Sequence, residues 1–169
     1  MSDKSFPKPL LWLTLLLTLA GCGFHLKGYQ QAASPVLNGL YVEGGEDRGT
    51  LAGTLAHNLR IGGVELAADA ESAKARLIIT GERQQRRVLA VDASGKALDS
   101  ELQLEAGFRL TRAAGGEPQT QSLELVRQLS YGGDDELGQR NEAQLLLNDM
   151  RNEMANQIIR RLEALLKQP

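Results

Sequence analysis

The chain has very little cysteine and few aromatic residues. Cys22 is the only cysteine among 169 residues, so the chain cannot form an intramolecular disulfide or the paired-thiol motif of a zinc ribbon or redox site. Aromatic residues make up 4% of the chain, and the formal net charge is -2. A nucleic-acid-binding domain is expected to be clearly basic, so the composition argues against nucleic acid as a partner.

An apolar run long enough to cross a bilayer is also missing near the start of the chain. The uncharged stretch Leu10–Ala20 covers 11 residues, whereas a membrane-spanning helix needs about 20. Lys4 and Lys8 precede this stretch, and small residues follow it. A basic start, a short apolar centre and a small-residue cleavage point are the layout of a signal peptide. We therefore predict that residues 1–21 are a signal peptide.

The residues before the single cysteine favour a lipoprotein type of signal peptide. Leu19, Ala20 and Gly21 resemble the lipobox of bacterial lipoproteins, in which the cysteine that follows is acylated. One acyl chain anchors a protein only marginally, so stable attachment takes several chains. We predict that Cys22 is the lipid attachment site and the first residue of the mature chain. The alternative is a simple secretory signal followed by an incidental buried cysteine.

The length and composition of the rest of the chain are those of one domain joined to a lipid-anchored tether. Residue 23 is Gly23 rather than the aspartate that resembles an inner-membrane retention signal, so the predicted location is the outer membrane, facing the periplasm. Residues 22–34 are polar and irregular, and we predict a lipidated tether there. Residues 35–169 are of a length that one domain with a buried core requires, and we predict a single α+β domain.

Hydrophobic periodicity predicts the order β-α-β-β-β-α within this domain. A short apolar run at Val36–Gly44 predicts the first strand. Thr50–Ile61 has leucines at i, i+4 and i+8, which predicts a first helix with Thr50 as its N-cap. An apolar run that starts at residue 75 predicts a second strand that continues past Gly81.

Two further strands and a long helix complete the predicted order. Ser100–Thr111 alternates apolar with polar residues, and Leu123–Tyr131 does so except at Arg127, which interrupts the apolar face. Glu136–Lys167 has apolar residues at spacings of three and four, which predicts an amphipathic helix. We predict two helices packed on one face of a four-stranded, mostly antiparallel sheet. Residues 92–100 are the predicted hairpin loop between the second and third strands, with its tip at residues 94–95.

The sequence carries no recognisable catalytic, cofactor or metal motif. His57 lacks the Gly-x-Ser-x-Gly elbow of a hydrolase, and we interpret it as a solvent-facing residue of the first helix. Ser94–Ala97 lacks the leading glycine of a phosphate loop and the hydroxyl residue after the lysine. Two histidines without clustered carboxylates make a poor metal site. We therefore predict that the chain is not an enzyme and uses no cofactor.

A cluster of arginines is the one local charge feature that stands out. Four arginines lie within twelve residues, namely Arg76, Arg83, Arg86 and Arg87. Glu82 is the one negatively charged residue in this stretch. Guanidinium groups bind phosphate in bidentate geometry, so this strand end is a candidate anion site. The alternative is a solvated strand face whose arginines pair with Glu101 or Glu105 on the next strand.

Two short segments resemble a known family, the lipopolysaccharide-assembly lipoprotein family LptE. They are AGCGFHLKG at residues 20–28 and LAHNLRIGGVEL at residues 55–66, and the predicted order of elements matches as well. The resemblance implies a protein that is not an enzyme but sits as a plug inside the β-barrel LptD, helps that barrel fold and binds lipopolysaccharide on its way to the outer leaflet. A polar uncovered sheet face is compatible with the polar lumen of a large barrel.

The resemblance also implies where lipopolysaccharide binds. In the family, basic residues near the loop between strands two and three and near the start of the last helix are associated with lipopolysaccharide. These regions offer Lys96 and Arg140, and the arginine cluster adds Arg86 and Arg87. The loop tip has Ala93 and Ser94 where the family has a basic residue, which is a departure from the pattern. The alternative function is a periplasm-facing lipoprotein that binds another envelope component, such as peptidoglycan or a different protein, without a barrel.

Overall fold

The structure of the chain is a computed structural model that describes residues 34–130 and 136–167. The predicted signal peptide, Cys22 and Tyr131 lie outside the described residues, as does nearly all of the predicted tether. The observed order of elements is the predicted one, preceded by a single 3-10 turn. The elements are the 3-10 turn Pro35–Leu37, strand β1 (Leu40–Val42), helix α1 (Leu51–Ile61), strand β2 (Ala75–Val91), strand β3 (Ala97–Arg112), strand β4 (Gln119–Ser130) and helix α2 (Glu136–Lys167).

The four strands form one sheet in the order β1-β2-β3-β4, which confirms the predicted α+β class. β1 runs parallel to β2, because α1 carries the chain back to the same end of the sheet before β2 begins. β2, β3 and β4 are antiparallel to one another. The sheet is therefore mostly antiparallel, as the sequence predicts.

The first strand is shorter than the sequence pattern suggests. Only Leu40–Val42 pairs with β2, whereas the apolar run Val36–Gly44 predicts a longer strand. Pro35 starts a 3-10 turn, and Gly39 adopts a φ of 83°, a left-handed conformation that interrupts an extended strand. The apolar run thus belongs to a turn and a short strand, and Leu37 is buried from the turn.

Both helices cover the same face of the sheet. The alternate apolar residues of β3, with Phe108 at their centre, are fully or almost fully buried beneath them. Thr50 caps α1 by accepting a hydrogen bond from the Gly53 amide at 3.2 Å, as predicted. The core consists mainly of Leu51, Leu55 and Leu59 of α1, Leu102, Leu104, Phe108 and Leu110 of β3, and Met150, Met154, Ile158 and Leu162 of α2.

The hairpin between β2 and β3 is longer than predicted, and its loop is shorter. The loop spans only residues 92–96, because the strands continue to Val91 and resume at Ala97. The predicted loop, residues 92–100, was therefore wrong at its C-terminal end. The predicted tip holds, since Gly95 adopts a φ of 83° there. Within the described residues, no helix has both the length and the apolar character needed to cross a bilayer.

Candidate functional site

The candidate site lies at the free end of the β2–β3 hairpin, which we define as residues 86–100 and call the hairpin end. It contains three of the four predicted lipopolysaccharide-binding residues, Arg86, Arg87 and Lys96. β1 pairs with β2 only as far as Leu77, so β1 does not flank this part of β2. The hairpin end consequently projects beyond the best-packed part of the sheet, and most of its side chains are exposed or half-buried.

Asp92 organises the loop that carries Lys96. Its Oδ1 accepts hydrogen bonds from the Ser94 hydroxyl at 2.6 Å, the Ser94 amide at 2.8 Å and the Lys96 amide at 2.9 Å. The Ser94 hydroxyl, followed by the Lys96 amide, lowers the pKa of Asp92 below its ordinary value, because both donors favour the charged carboxylate. The loop thus has a defined geometry that does not require a basic residue at its tip.

The lowered pKa of Asp92 leads to a pH-dependent prediction. A carboxylate whose pKa is lowered in the folded loop stabilises that loop when the pH is above 3.8, its ordinary pKa. This stabilisation is lost as the pH falls through the lower pKa that the group has in the folded loop. We expect the Lys96 amide resonance to titrate with a midpoint below 3.8 in an NMR pH series. Ser94→Ala should move the midpoint upward. A midpoint at or above 3.8 in the unsubstituted chain would contradict this assignment.

The structure places Arg86 and Arg87 on opposite faces of the hairpin. Arg86 is opposite Leu102 and lies on the face that the helices cover, with its Nε at 3.4 Å from the buried Ser100 hydroxyl. Arg87 lies on the open face and forms an ion pair with Glu101 at 2.9 Å. The alternative that an arginine pairs across to Glu101 is therefore correct for Arg87. The Arg87 side chain remains 72% exposed, so its guanidinium is still accessible to a ligand.

Arg140 lies at the same end of the molecule as the hairpin end. Arg151 of α2 hydrogen-bonds to Gln84 of β2 at 3.2 Å, and Arg112 at the end of β3 bonds to the Leu165 carbonyl. α2 therefore starts near the hairpin end and finishes near the start of β2. The eleven residues from Arg151 back to Arg140 rise about 16 Å, which equals about five residues of strand. This places Arg140 roughly level with residue 89 of β2.

A polar junction at Glu82 holds the hairpin against both helices. The pairing of β2 with β3 shifts between Thr80 and Arg83, where Gly81 has a φ of 65°. Glu82 accepts hydrogen bonds there from the Leu51 amide at 2.9 Å and from Arg151 at 3.0 Å. Glu82 thus joins β2, the start of α1 and the middle of α2. The sequence indicates Glu82 as the acidic neighbour of the arginine cluster, but in the structure its carboxylate bonds to the two helices.

The sheet face opposite the helices is polar, and neither of the two helices in the described part of the chain covers it. At its centre, the Gln103 amide donates to Glu105 at 2.7 Å and to Glu124 at 2.8 Å. Gly107 leaves room on this face for the Thr80 hydroxyl, because a Cβ at residue 107 would lie 2.7 Å from it. This open face is therefore a hydrogen-bonded surface of amides and carboxylates, in agreement with the wet face that the alternation in β3 predicts.

Outside the hairpin end, the structure shows little that would serve chemistry. His57 is exposed on α1, as predicted for a solvent-facing residue. Residues 34–130 and 136–167 contain no group of three or more histidine, cysteine, aspartate or glutamate side chains that could hold a metal ion. The structure instead has positively charged side chains on the hairpin end and a large polar sheet face, and both are surfaces that can bind other molecules.

Comparison with known protein families identifies one that matches this chain. The sequence model described as LptE, lipopolysaccharide-assembly, matches residues 37–162. The chain belongs to the LptE family. The predicted resemblance is thereby confirmed, and the role of the protein lies in lipopolysaccharide transport and assembly. The match covers every strand and both helices apart from the last residues of α2.

Individual relatives support the same assignment. The LPS-assembly lipoproteins LptE of Yersinia pestis (strain Pestoides F) and Yersinia pseudotuberculosis (serotype O:1b, strain IP 31758) are each 28% identical to this LptE family member over 154 residues. Each alignment covers 90% of this chain and 73% of the relative.

Solved structures share the fold. An uncharacterized lipoprotein B from Nitrosomonas europaea superposes with a TM-score of 0.65 at 24% identity, covering 86% of this chain and 94% of that one. The rare lipoprotein B from Shewanella oneidensis gives a TM-score of 0.62 at 21% identity, covering 72% and 89%. At these identities the likeness concerns the fold alone.

Proposed function

We propose that this chain is an outer-membrane lipoprotein that plugs the LptD β-barrel, helps the barrel assemble and binds lipopolysaccharide during its transport to the outer leaflet. Cys22 is the proposed site of the acyl chains, and the anchored domain faces the periplasm. The domain acts by binding and by filling the barrel, and it carries out no reaction. Membership of the LptE family is the observation that carries this proposal.

The open sheet face supports the barrel part of the proposal. The lumen of a large outer-membrane barrel is polar, so a plug needs a surface whose hydrogen bonds to water can be replaced by hydrogen bonds to the barrel wall. The amides and carboxylates around Gln103 provide such a surface, and the helices on the other face keep the apolar core away from it. A plug of this kind holds its own fold before it meets the barrel.

The lipopolysaccharide part rests on the position of the basic residues. Arg86 and Lys96 belong to the hairpin end, Arg140 lies at its level on α2, and Arg87 reaches the open face beside Glu101. Phosphate groups on a glycolipid headgroup bind cations of this kind through charge-assisted hydrogen bonds. The four cations surround one end of an otherwise acidic chain, so we propose that this end receives the anionic headgroup.

Co-purification tests the barrel part of the proposal directly. The full chain with a C-terminal affinity tag should be extracted from its native membranes in mild detergent, and its partners identified by mass spectrometry. We expect an LptD-type barrel in near-equal amount to the tagged chain. A matched preparation of another tagged outer-membrane lipoprotein controls for non-specific recovery of abundant barrels. Recovery of the chain with peptidoglycan or with a different protein and without a large barrel would instead support the alternative function.

A further inference from the structure

The hairpin end is apolar as well as basic. Among the described residues, eight large aliphatic side chains are strongly exposed, and four of them belong to this one hairpin end. They are Val88 at 50%, Leu89 at 45%, Val91 at 56% and Leu98 at 43% of full exposure. Single exposed aliphatic residues are ordinary on a protein surface, but a cluster of them marks a place where another molecule binds.

Two members of the cluster continue the core-facing side of the sheet beyond the cover of the helices. Val88 is opposite the buried Ser100, and Leu98 is two residues before Ser100 on the same side of β3. The register of β2 then shifts twice, between Val88 and Ala90 and between Ala90 and Val91. Val91 is opposite Ala97, which lies on the other face of β3 from Leu98, so the bulges turn Val91 to the open face and the aliphatic side chains line both faces of the hairpin end.

The chemistry of the hairpin end selects a ligand that is both aliphatic and anionic. Its apolar side chains are all aliphatic, and residues 86–100 include no aromatic ring on which a sugar could stack. Arg86, Arg87 and Lys96 lie within the same fifteen-residue segment, so anionic groups of the ligand can be bound beside its apolar part. An acylated, phosphorylated glycolipid has both parts, whereas a bare phosphosugar has only the anionic one.

The hairpin end lies far from the first described residue of the chain. The described chain begins at Ser34, whose amide bonds to Glu163 near the finish of α2, at 2.9 Å. The hairpin end lies at the opposite end of the molecule, because β2 extends about 50 Å over the sixteen steps from Ala75 to Val91. The aliphatic cluster is therefore at the other end of the described domain from Ser34.

We propose that Val88, Leu89, Val91 and Leu98 bind the acyl chains of lipopolysaccharide, while the neighbouring cations contact its phosphates. This inference rests on the proposed function and deepens it, because it names the part of the lipid that the hairpin end recognises. Acyl chains that leave a lipid aggregate would otherwise be exposed to water, and contact with these side chains removes apolar surface of both partners from water. The hairpin end therefore holds a single lipid molecule by its chains and its headgroup together.

The test uses a variant that keeps the shape of the strands. The hairpin-end variant carries Val88→Thr and Val91→Thr, which retain β-branching, together with Leu89→Gln and Leu98→Gln. A control variant carries Val36→Thr and Ile61→Thr, at two exposed aliphatic positions outside the hairpin end. The full chain and both variants are reconstituted in phosphatidylcholine nanodiscs. Circular dichroism and thermal unfolding confirm that each variant is folded, and a single substitution, Val91→Thr, is measured as well if the fourfold variant fails to fold.

Affinity is measured for lipopolysaccharide and for the same molecule after chemical removal of all its acyl chains. We expect the unsubstituted chain to bind the acylated form at least about tenfold more tightly than the deacylated form. The hairpin-end variant should lose most of this difference and bind the deacylated form as before. The control variant should behave like the unsubstituted chain, and Val91→Thr alone should reduce the difference by a smaller factor.

The outcomes separate this inference from the proposed function. If the unsubstituted chain does not bind lipopolysaccharide, the lipid-binding part of the proposed function fails and the inference fails with it. If it binds the acylated and deacylated forms equally, or if the hairpin-end variant retains the full preference for acyl chains, the inference alone is overturned. It is also overturned if the unsubstituted chain dimerises and the variant is monomeric with unchanged affinity, since the cluster is then a contact between copies.

Discussion

Replacing Gly53 with alanine should lower the free energy of unfolding by about 3 kcal/mol, because the added methyl group has no space. A Cβ at this position would lie 1.9 Å from the Asp47 carbonyl oxygen, 2.4 Å from its carbon and 2.9 Å from the Arg48 Cα. These are backbone atoms, so no side-chain rotation can relieve the overlap. Either the start of α1 or the loop before it must move, and the measurement is urea unfolding followed by circular dichroism.

Gly49→Ala is the matched control for this substitution. Gly49 belongs to the same loop, but its Cβ would meet only the Asp47 side-chain oxygen, at 3.3 Å. That side chain can shift by a few tenths of an ångström, so we expect a change within about 1 kcal/mol. Equal stability of Gly53→Ala and Gly49→Ala would show that the close approach of α1 to the loop is not as the structure has it.

Joint replacement of Arg86, Arg87, Lys96 and Arg140 by alanine should weaken lipopolysaccharide binding by about tenfold or more at 0.15 M salt. The four side chains supply charge-assisted hydrogen bonds to phosphate, and exposed charges of this kind are screened by salt. The affinity of the unsubstituted chain should therefore fall as salt is added, while that of the variant should depend on salt much less. Fluorescence anisotropy of labelled lipopolysaccharide over a salt series measures both.

A second fourfold variant controls for the loss of net positive charge. Arg60, Lys74, Arg160 and Lys167 are exposed and lie away from the hairpin end, so their replacement by alanine removes the same charge from other parts of the surface. This control should leave the affinity nearly unchanged. If both variants lose affinity equally, the overall charge of the chain matters and the four proposed residues form no particular site.

The regular elements were predictable because local patterns determine them. α1 has its capping threonine and a leucine on every turn of the face that it buries, and β3 alternates between buried and more exposed residues from Ser100 to Leu110. β1 was less predictable, since a left-handed Gly39 interrupts an apolar run that otherwise resembles one strand. Where the backbone departs from regular geometry at a single residue, periodicity over a window of residues does not detect it.

The candidate site was only partly predictable. The family resemblance indicated Lys96 and Arg140, and the arginine cluster indicated Arg86 and Arg87, but nothing in the spacing shows that adjacent arginines face opposite sides of a hairpin. Adjacent residues of a strand do so by geometry, and the observed register decides which one meets Glu101. The aliphatic cluster was not predicted, because the sequence pattern places residues 88–91 in the second strand without indicating which side chains the helices cover. Only the absence of helix cover in the described structure reveals them as exposed.

The sequence by itself determined the order of the strands and helices, the α+β class, the family and the residue at which a lipid anchor would be sought. Local hydrogen bonding and apolar periodicity suffice for the elements, because they depend on residues that are close along the chain. Only the tertiary structure decided where Glu82 finds its partners, how far the hairpin extends beyond the core and which side chains meet at its end. These features depend on contacts between residues such as Glu82 and Arg151, which lie 69 positions apart and come together only when the helices pack on the sheet.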